Sequence, residues 1–232
     1  MAGKGRGLGI AAVVVGLVGV VLALGAFGYG RSAYGAATIS SQSMVPTYTP
    51  GERVIYDRVD GGEVRRGDVV LFSAPDRYQS SVSVMQRVIG VGGDRVVCCT
   101  GEGTDARLTV NGKPVPEPYV NGGDANGMHG SSYASYDVTV PKGRLFLLGD
   151  NRRDSLDSRF FASDHDGTVA ESAVTGRMTG DYTMPIVVGT AVMAGVVLAL
   201  VGLGLGIAAS VVRRRRRGGA VPVAPQPVQP VQ

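Results

Sequence analysis

Two long stretches of the chain carry no charged side chain, Leu8 to Tyr29 and Pro185 to Val212. Each reaches the roughly 20 apolar residues that let a helix cross a bilayer with its backbone polar groups satisfied internally. Between them the hydrophobic positions come in short groups: Arg53 to Tyr56, Asp68 to Phe72, Ser83 to Ile89, Arg95 to Val97, Leu108 to Val110, Tyr136 to Val140 and Arg144 to Leu148. These are β-branched or apolar, are separated by Gly, Pro, Asn and Asp, and lack helical periodicity, so they predict strands. Asn111-Gly112, between Leu108 to Val110 and Pro114, predicts a type I′ hairpin turn. The expected fold class is mostly β, an antiparallel sandwich or barrel-like domain flanked by two transmembrane helices.

Charge sets the orientation. Lys4 and Arg6 precede the first apolar run and Arg213 to Arg217 follow the second, so the positive-inside rule puts both termini in the cytoplasm and the middle of the chain on the far side. The expected organisation is a cytoplasmic N-terminus over 1–7, a transmembrane helix over 8–30, an extracytoplasmic β domain over 31–181, a second transmembrane helix over 185–212, and a basic, then Pro-rich, cytoplasmic tail over 213–232. A cleavable secretory signal is the competing reading of the first run, but its apolar length exceeds the roughly 7 to 15 residues of such a signal.

The 232 residues are 44% hydrophobic and only 6% aromatic, and the net charge is +4. Subtracting the five arginines of 213–217 from +4 leaves −1, so no basic groove remains and no nucleic-acid partner is expected. Cys98 and Cys99 are the only cysteines; a vicinal disulfide, free thiols and a bridge between chains all fit that spacing. With His129 and His165 they match no zinc spacing, so neither a metal nor another cofactor is expected. Tyr119 to Ser135, rich in Gly, Asn and Ser, reads as a mobile loop, and Gly218 to Gln232 as an extended tail.

Four segments carry candidate chemistry: Ser41-Gln42-Ser43-Met44-Val45-Pro46-Thr47, Arg66 to Phe72, Gln86 to Asp94, and Gly149-Asp150-Asn151-Arg152-Arg153-Asp154-Ser155-Leu156-Asp157-Ser158-Arg159. Singly, each reads as loop hydroxyls, ordinary turns or a structural ion pair. Together and in this order they resemble type I signal peptidases, membrane serine endopeptidases that use a Ser/Lys dyad. The resemblance runs from the first apolar run to Arg159.

The resemblance implies the family's β-fold, with Ser43 as the nucleophile that removes N-terminal signal peptides from exported preproteins. It implies Ser41 as the oxyanion-hole hydroxyl, acting with the Ser43 backbone N–H on the charge that develops at the carbonyl oxygen. Ser155 would orient the base, Asp157 and Arg159 would brace the site, and Asp150 and Asn151 would position the same loop. Met44 reads as a pocket or membrane-facing residue. The implied partners are exported preproteins, the bilayer and the secretion translocase. Chain length agrees with cleavage close to the membrane. Ser43 lies a dozen residues past Arg31, which keeps it within roughly 40 Å of the bilayer surface even if fully extended.

One position departs from the pattern. Where the family has its general-base lysine, this chain has Gln86. A carboxamide can hydrogen-bond to a serine but has no proton-accepting site of useful basicity. The lysines are Lys4, Lys113 and Lys142, none at the base position, and neither His129 nor His165 occupies it. Three readings stay open: a working serine endopeptidase with its base elsewhere; a catalytically impaired or inactive relative that binds signal peptides or partners at the membrane; and an anchored β domain whose serines are structural.

Overall fold

A computed structural model describes residues 3–78, 83–100, 107–120 and 135–218. Most of the expected loop Tyr119 to Ser135, including His129, and the tail beyond Gly218 lie outside these residues. The helices are α1 (Gly3–Ala33), α2 (Pro75–Tyr78) and α3 (Thr183–Gly218). The strands are β1 (Tyr34–Thr38), β2 (Arg53–Asp57), β3 (Val69–Phe72), β4 (Val84–Val91), β5 (Arg95–Thr100), β6 (Arg107–Val110), β7 (Lys113–Pro114), β8 (Tyr136–Thr139), β9 (Arg144–Leu148), β10 (Val169–Ala170) and β11 (Val174–Met178). They form two compact units, Met1–Ser32 with Tyr182–Gln232, and Ala33–Asp181.

In the first unit α1 and α3 run antiparallel, and both are long and apolar enough to cross a membrane. Small residues let their backbones touch. A Cβ on Gly19 would stand 2.4 Å from the Ala199 nitrogen, one on Gly202 2.4 Å from the Gly16 nitrogen, and one on Gly195 2.5 Å from the Ala23 nitrogen. Lipid supplies no hydrophobic drive between helices, so close van der Waals approach of this kind is what holds such a pair.

The second unit is antiparallel β throughout its paired strands. A seven-stranded sheet runs in the order β1-β2-β11-β3-β4-β9-β10, and a four-stranded sheet in the order β7-β6-β5-β8. The expected strands are present, with shifted ends: β4 continues to Val91 and β5 to Thr100. Asn111 and Gly112 have φ of 54° and 75°, the left-handed pair that a type I′ turn between β6 and β7 requires. β1, β7, β10 and β11 were not expected. Cys98 and Cys99 are joined to each other as a disulfide.

Strand alternation distributes the core into three pools. Leu145 and Leu147 of β9 pack with Val70, Phe72 and Val88, whereas Phe146 and Leu148 face the other way, onto Val96, Leu108 and Val110 of the smaller sheet. Burial on both faces explains why β9 reads as an unbroken apolar run. Val69 and Leu71 of β3 turn from the first pool to a third, with Ile39, Met44, Val54, Met85 and Met178. Each such side chain, fully buried, stabilises by about 1.5–3 kcal/mol. The third pool underlies the Ser41 to Thr47 segment, and β4 carries Gln86 between Val84 and Val88 on the face of the first pool.

Candidate active site

Ser41 to Tyr48 forms successive turns rather than a regular element. Met44 anchors it, 1% exposed in the third core pool; the side chain is a core plug that also lines the cavity, not a lipid contact. A second anchor comes from the 149–159 segment. The Asn151 backbone N–H donates to the Ser43 carbonyl oxygen at 2.9 Å, and its side-chain amide donates to the Gln42 carbonyl at 3.1 Å. The backbone that presents Ser43 is thus tied from below by an apolar side chain and from the flank by Asn151. The two hydroxyls on this loop meet: Ser41 Oγ and Ser43 Oγ are 3.0 Å apart.

These residues open onto a cavity of about 710 Å³, whose walls also include Tyr78, Gln86, Ser155 and Leu156. Four of the residues singled out in the sequence, Ser41, Ser43, Gln86 and Ser155, therefore share one cavity. The other four, Asp150, Asn151, Asp157 and Arg159, are packed behind it and do not line it.

The bracing behind the wall is ionic. Asp157 is fully buried and receives Arg159 through Nε at 2.7 Å and Nη2 at 2.8 Å, while its Oδ2 also accepts from the Gly149 N–H at 3.1 Å. Asp150 accepts from Arg87 Nε at 2.8 Å, from Arg87 Nη2, and from the Thr47 hydroxyl, linking the serine loop to β4. Hydrogen bonding to Asp150 and its charge raise the Arg87 guanidinium further above its ordinary value, against the opposing effect of burial. The Tyr119 ring lies 4.0 Å from Arg87 as a cation–π partner. Arg152, 1% exposed, pairs with the buried Glu117. Each charge is removed from water, and each is tolerable only because its partner is present.

Gln86 is 1% exposed. Its Nε2 donates to the Leu156 carbonyl at 2.7 Å and lies 3.3 Å from the Tyr78 hydroxyl, which itself donates to the Leu156 carbonyl at 3.1 Å. Its Oε1 and the Ser155 Oγ are both buried without a hydrogen-bond partner among the described residues. Tyr78 is no base: burial pushes its phenol from 10.0 up to about 12, so it stays neutral and acts as a donor. Among the described residues, no lysine or histidine lines the cavity. His165 is exposed and bonded to Asp164, which also receives Arg77; these three are absent from the wall. Lys113 borders a different cleft, beside Arg66 and Tyr119.

Sequence reasoning assigned no role to Tyr78, Thr47, Arg87 or Glu117, or to the Leu156 carbonyl. Arg87 and Thr47 lay inside quoted segments. Tyr78 and Glu117 gave no local signal, since Leu156 and Arg152, which they meet, lie 78 and 35 residues further along the chain.

The family profile described as signal peptidase, peptidase S26, matches residues 10–182. Signal peptidase I T of Bacillus subtilis strain 168 is 34% identical over 143 residues, covering 60% of this chain and 68% of its own. A probable signal peptidase I of Mycobacterium leprae strain TN is 30% identical over 223 residues, covering 78% of this chain and 72% of its own. A crystal structure of a signal peptidase I from Enterococcus faecalis V583 aligns with 50% of this chain and 97% of its own at 28% identity, with a TM-score of 0.37. The class is that of serine peptidase-type hydrolases, here anchored by apolar terminal helices. Within it, the chain belongs to the signal peptidase family, peptidase S26.

Proposed function

We propose that this chain binds the cleavage region of exported preproteins in the Ser43 cavity, on the extracytoplasmic side with both termini cytoplasmic, and that its peptide-cutting step is severely slowed. Ser43 addresses the scissile carbonyl, Ser41 and the Ser43 N–H face the developing oxyanion, and the substrate arrives beside the secretion translocase. The observation that carries the slowed step is Gln86: a buried carboxamide, its N–H bonded to Leu156, stands where a proton acceptor is needed. Loss of a general base typically lowers the rate by about 10²-fold to 10⁴-fold, and by more where nucleophile and base act as a unit.

A cleavage and capture assay on the purified full-length protein, with a preprotein carrying an Ala-x-Ala site, tests this. Wild type should capture the preprotein and cut it barely above Ser43→Ala. Gln86→Lys should cut about 10²-fold faster or more, and lose that gain when Ser43→Ala is added. Its rate should rise with pH through a lysine pKa lowered by burial, because the neutral amine is the active form. Absence of capture, rapid wild-type cleavage that Gln86→Lys does not improve, or wild-type cleavage abolished by His129→Ala would each overturn the proposal.

A further inference from the structure

Two polar atoms on the wall of the Ser43 cavity take no part in its bracing. Gln86 Oε1 and Ser155 Oγ are buried without a hydrogen-bond partner among the described residues. Their residues are 1% and 5% exposed, and both line the cavity. A third such atom, the Tyr136 hydroxyl, belongs to a ring packed against the core of the smaller sheet and does not line this cavity.

Neighbouring groups fix where these two atoms can turn. The Leu156 carbonyl only accepts, so the Gln86 carboxamide must give it the nitrogen, which directs Oε1 elsewhere. Ser155 precedes Leu156 in the chain, and its Oγ sits against Gly149, 2.1 Å from where a Cβ would stand. The other hydroxyls of the cavity are engaged: Ser41 and Ser43 pair with each other, and Tyr78 donates to Leu156. Oε1 and the Ser155 hydroxyl therefore form one stretch of unmatched polar wall.

Their chemistry defines the complement. Oε1 can only accept, whereas the Ser155 hydroxyl has a proton to give. A group that donates to the first and accepts from the second satisfies both, and a hydroxyl is such a group. A peptide N–H cannot accept, and an ammonium buried among neutral groups would lack a counter-charge. The buried carboxylates Asp150 and Asp157 are held by Arg87 and Arg159 behind the wall. Asp154 does line the cavity, but it is exposed and follows the equally exposed Arg153.

Building on the binding of preprotein cleavage regions in this cavity, we propose that Gln86 and Ser155 form a hydroxyl subsite. It selects preproteins with serine in place of one alanine of the Ala-x-Ala region. Serine is alanine with a hydroxyl added, so it brings the missing donor into nearly the same space. A site built to hydrogen-bond a substrate hydroxyl discriminates against the analogue lacking it, because its own buried polar groups are then left unpaired.

Equilibrium capture by the purified full-length protein tests this, with preproteins that carry alanine, serine or cysteine at either small position of the site. Cysteine is close to serine in size but a weak donor, so it separates hydrogen bonding from fit. At one of the two positions serine should bind about tenfold tighter than alanine, with cysteine near alanine. Gln86→Met and Ser155→Ala should each bring serine down to the affinity of alanine and leave Ala-x-Ala capture nearly unchanged. Equal wild-type affinities for serine and alanine at both positions, a preference that survives Gln86→Met, or cysteine matching serine would overturn the subsite. A water supplying the hydroxyl would instead make Gln86→Met weaken all the preproteins alike, with no serine preference in wild type, and would overturn it too. Capture without a serine preference removes the subsite alone, whereas absence of capture of every preprotein removes the binding reading and the subsite with it.

Discussion

The side-chain nitrogen of Gln86 donates a 2.7 Å hydrogen bond to the Leu156 carbonyl oxygen, while the oxygen of the same carboxamide is buried with no donor among the described residues. One half of the group is satisfied and the other half is not. A buried acceptor left unpaired costs about 1–3 kcal/mol, whereas the bond made returns about 0.5–1.5 kcal/mol. Gln86→Met keeps the volume and removes the orphan, and the Tyr78 hydroxyl remains on Leu156. The expected stability change, measured by denaturant unfolding of the full chain, is within about 1 kcal/mol of wild type and on the stabilising side. A loss above that range would show that Oε1 has a donor.

Gly149 lies where the two halves of the site converge. A Cβ there would stand 2.1 Å from Ser155 Oγ and 2.6 Å from the Ser43 carbonyl oxygen. Gly149→Ala should therefore move both serines, at a cost of about 1–3 kcal/mol by overpacking. Thermal unfolding reports the loss, and preprotein capture should weaken in parallel. Wild-type stability and capture in this variant would contradict the packing described.

Glu117 is the carboxylate partner of Arg152, which is almost fully buried. Truncation takes the Glu117 carboxylate away from a buried guanidinium, so Glu117→Ala should destabilise by about 3–5 kcal/mol. Arg95 and Asp137 form an equally close pair at the surface, and Asp137→Asn there should leave unfolding nearly unchanged, because solvent screens exposed pairs. Equal effects of the two substitutions would argue against the burial difference.

Burial raises the Tyr78 phenol from 10.0 to about 12. The protonated form is favoured in the folded protein, so this contribution to stability is fully present below about pH 10 and is lost as pH rises through about 12. Difference absorbance of wild type against Tyr78→Phe should place its ionisation near 12. A midpoint near 10 would mean that the ring is open to water.

The strands legible in the sequence were those whose apolar groups alternate between core pools, as in Val69 to Phe72 and Arg144 to Leu148. β1 and β11 escaped because the usual β-branched signal is missing where the Tyr56 ring presses on them. A Cβ on Gly35 would stand 2.1 Å from that ring and one on Gly176 2.3 Å from it, so space around one tyrosine of β2 dictates a glycine on each of the two strands that flank it. The serines and Gln86 stood out because their segments form a recognisable series. The buried pair Arg152 and Glu117 did not, since 35 residues separate them and neither sits in a pattern that marks an ion pair.

β11 lies between β2 and β3 in the larger sheet, although it is the last strand before α3. Nearly the whole domain must therefore have been made before the sheet is continuous, and until Val174 to Met178 arrive, β1 and β2 have no partner on that side. The Ile39 and Met44 pool beneath Ser43 also waits for Met178. The serine loop thus gains its full support only at the end of synthesis of the domain, which delays assembly of the cavity until the second apolar helix is about to emerge.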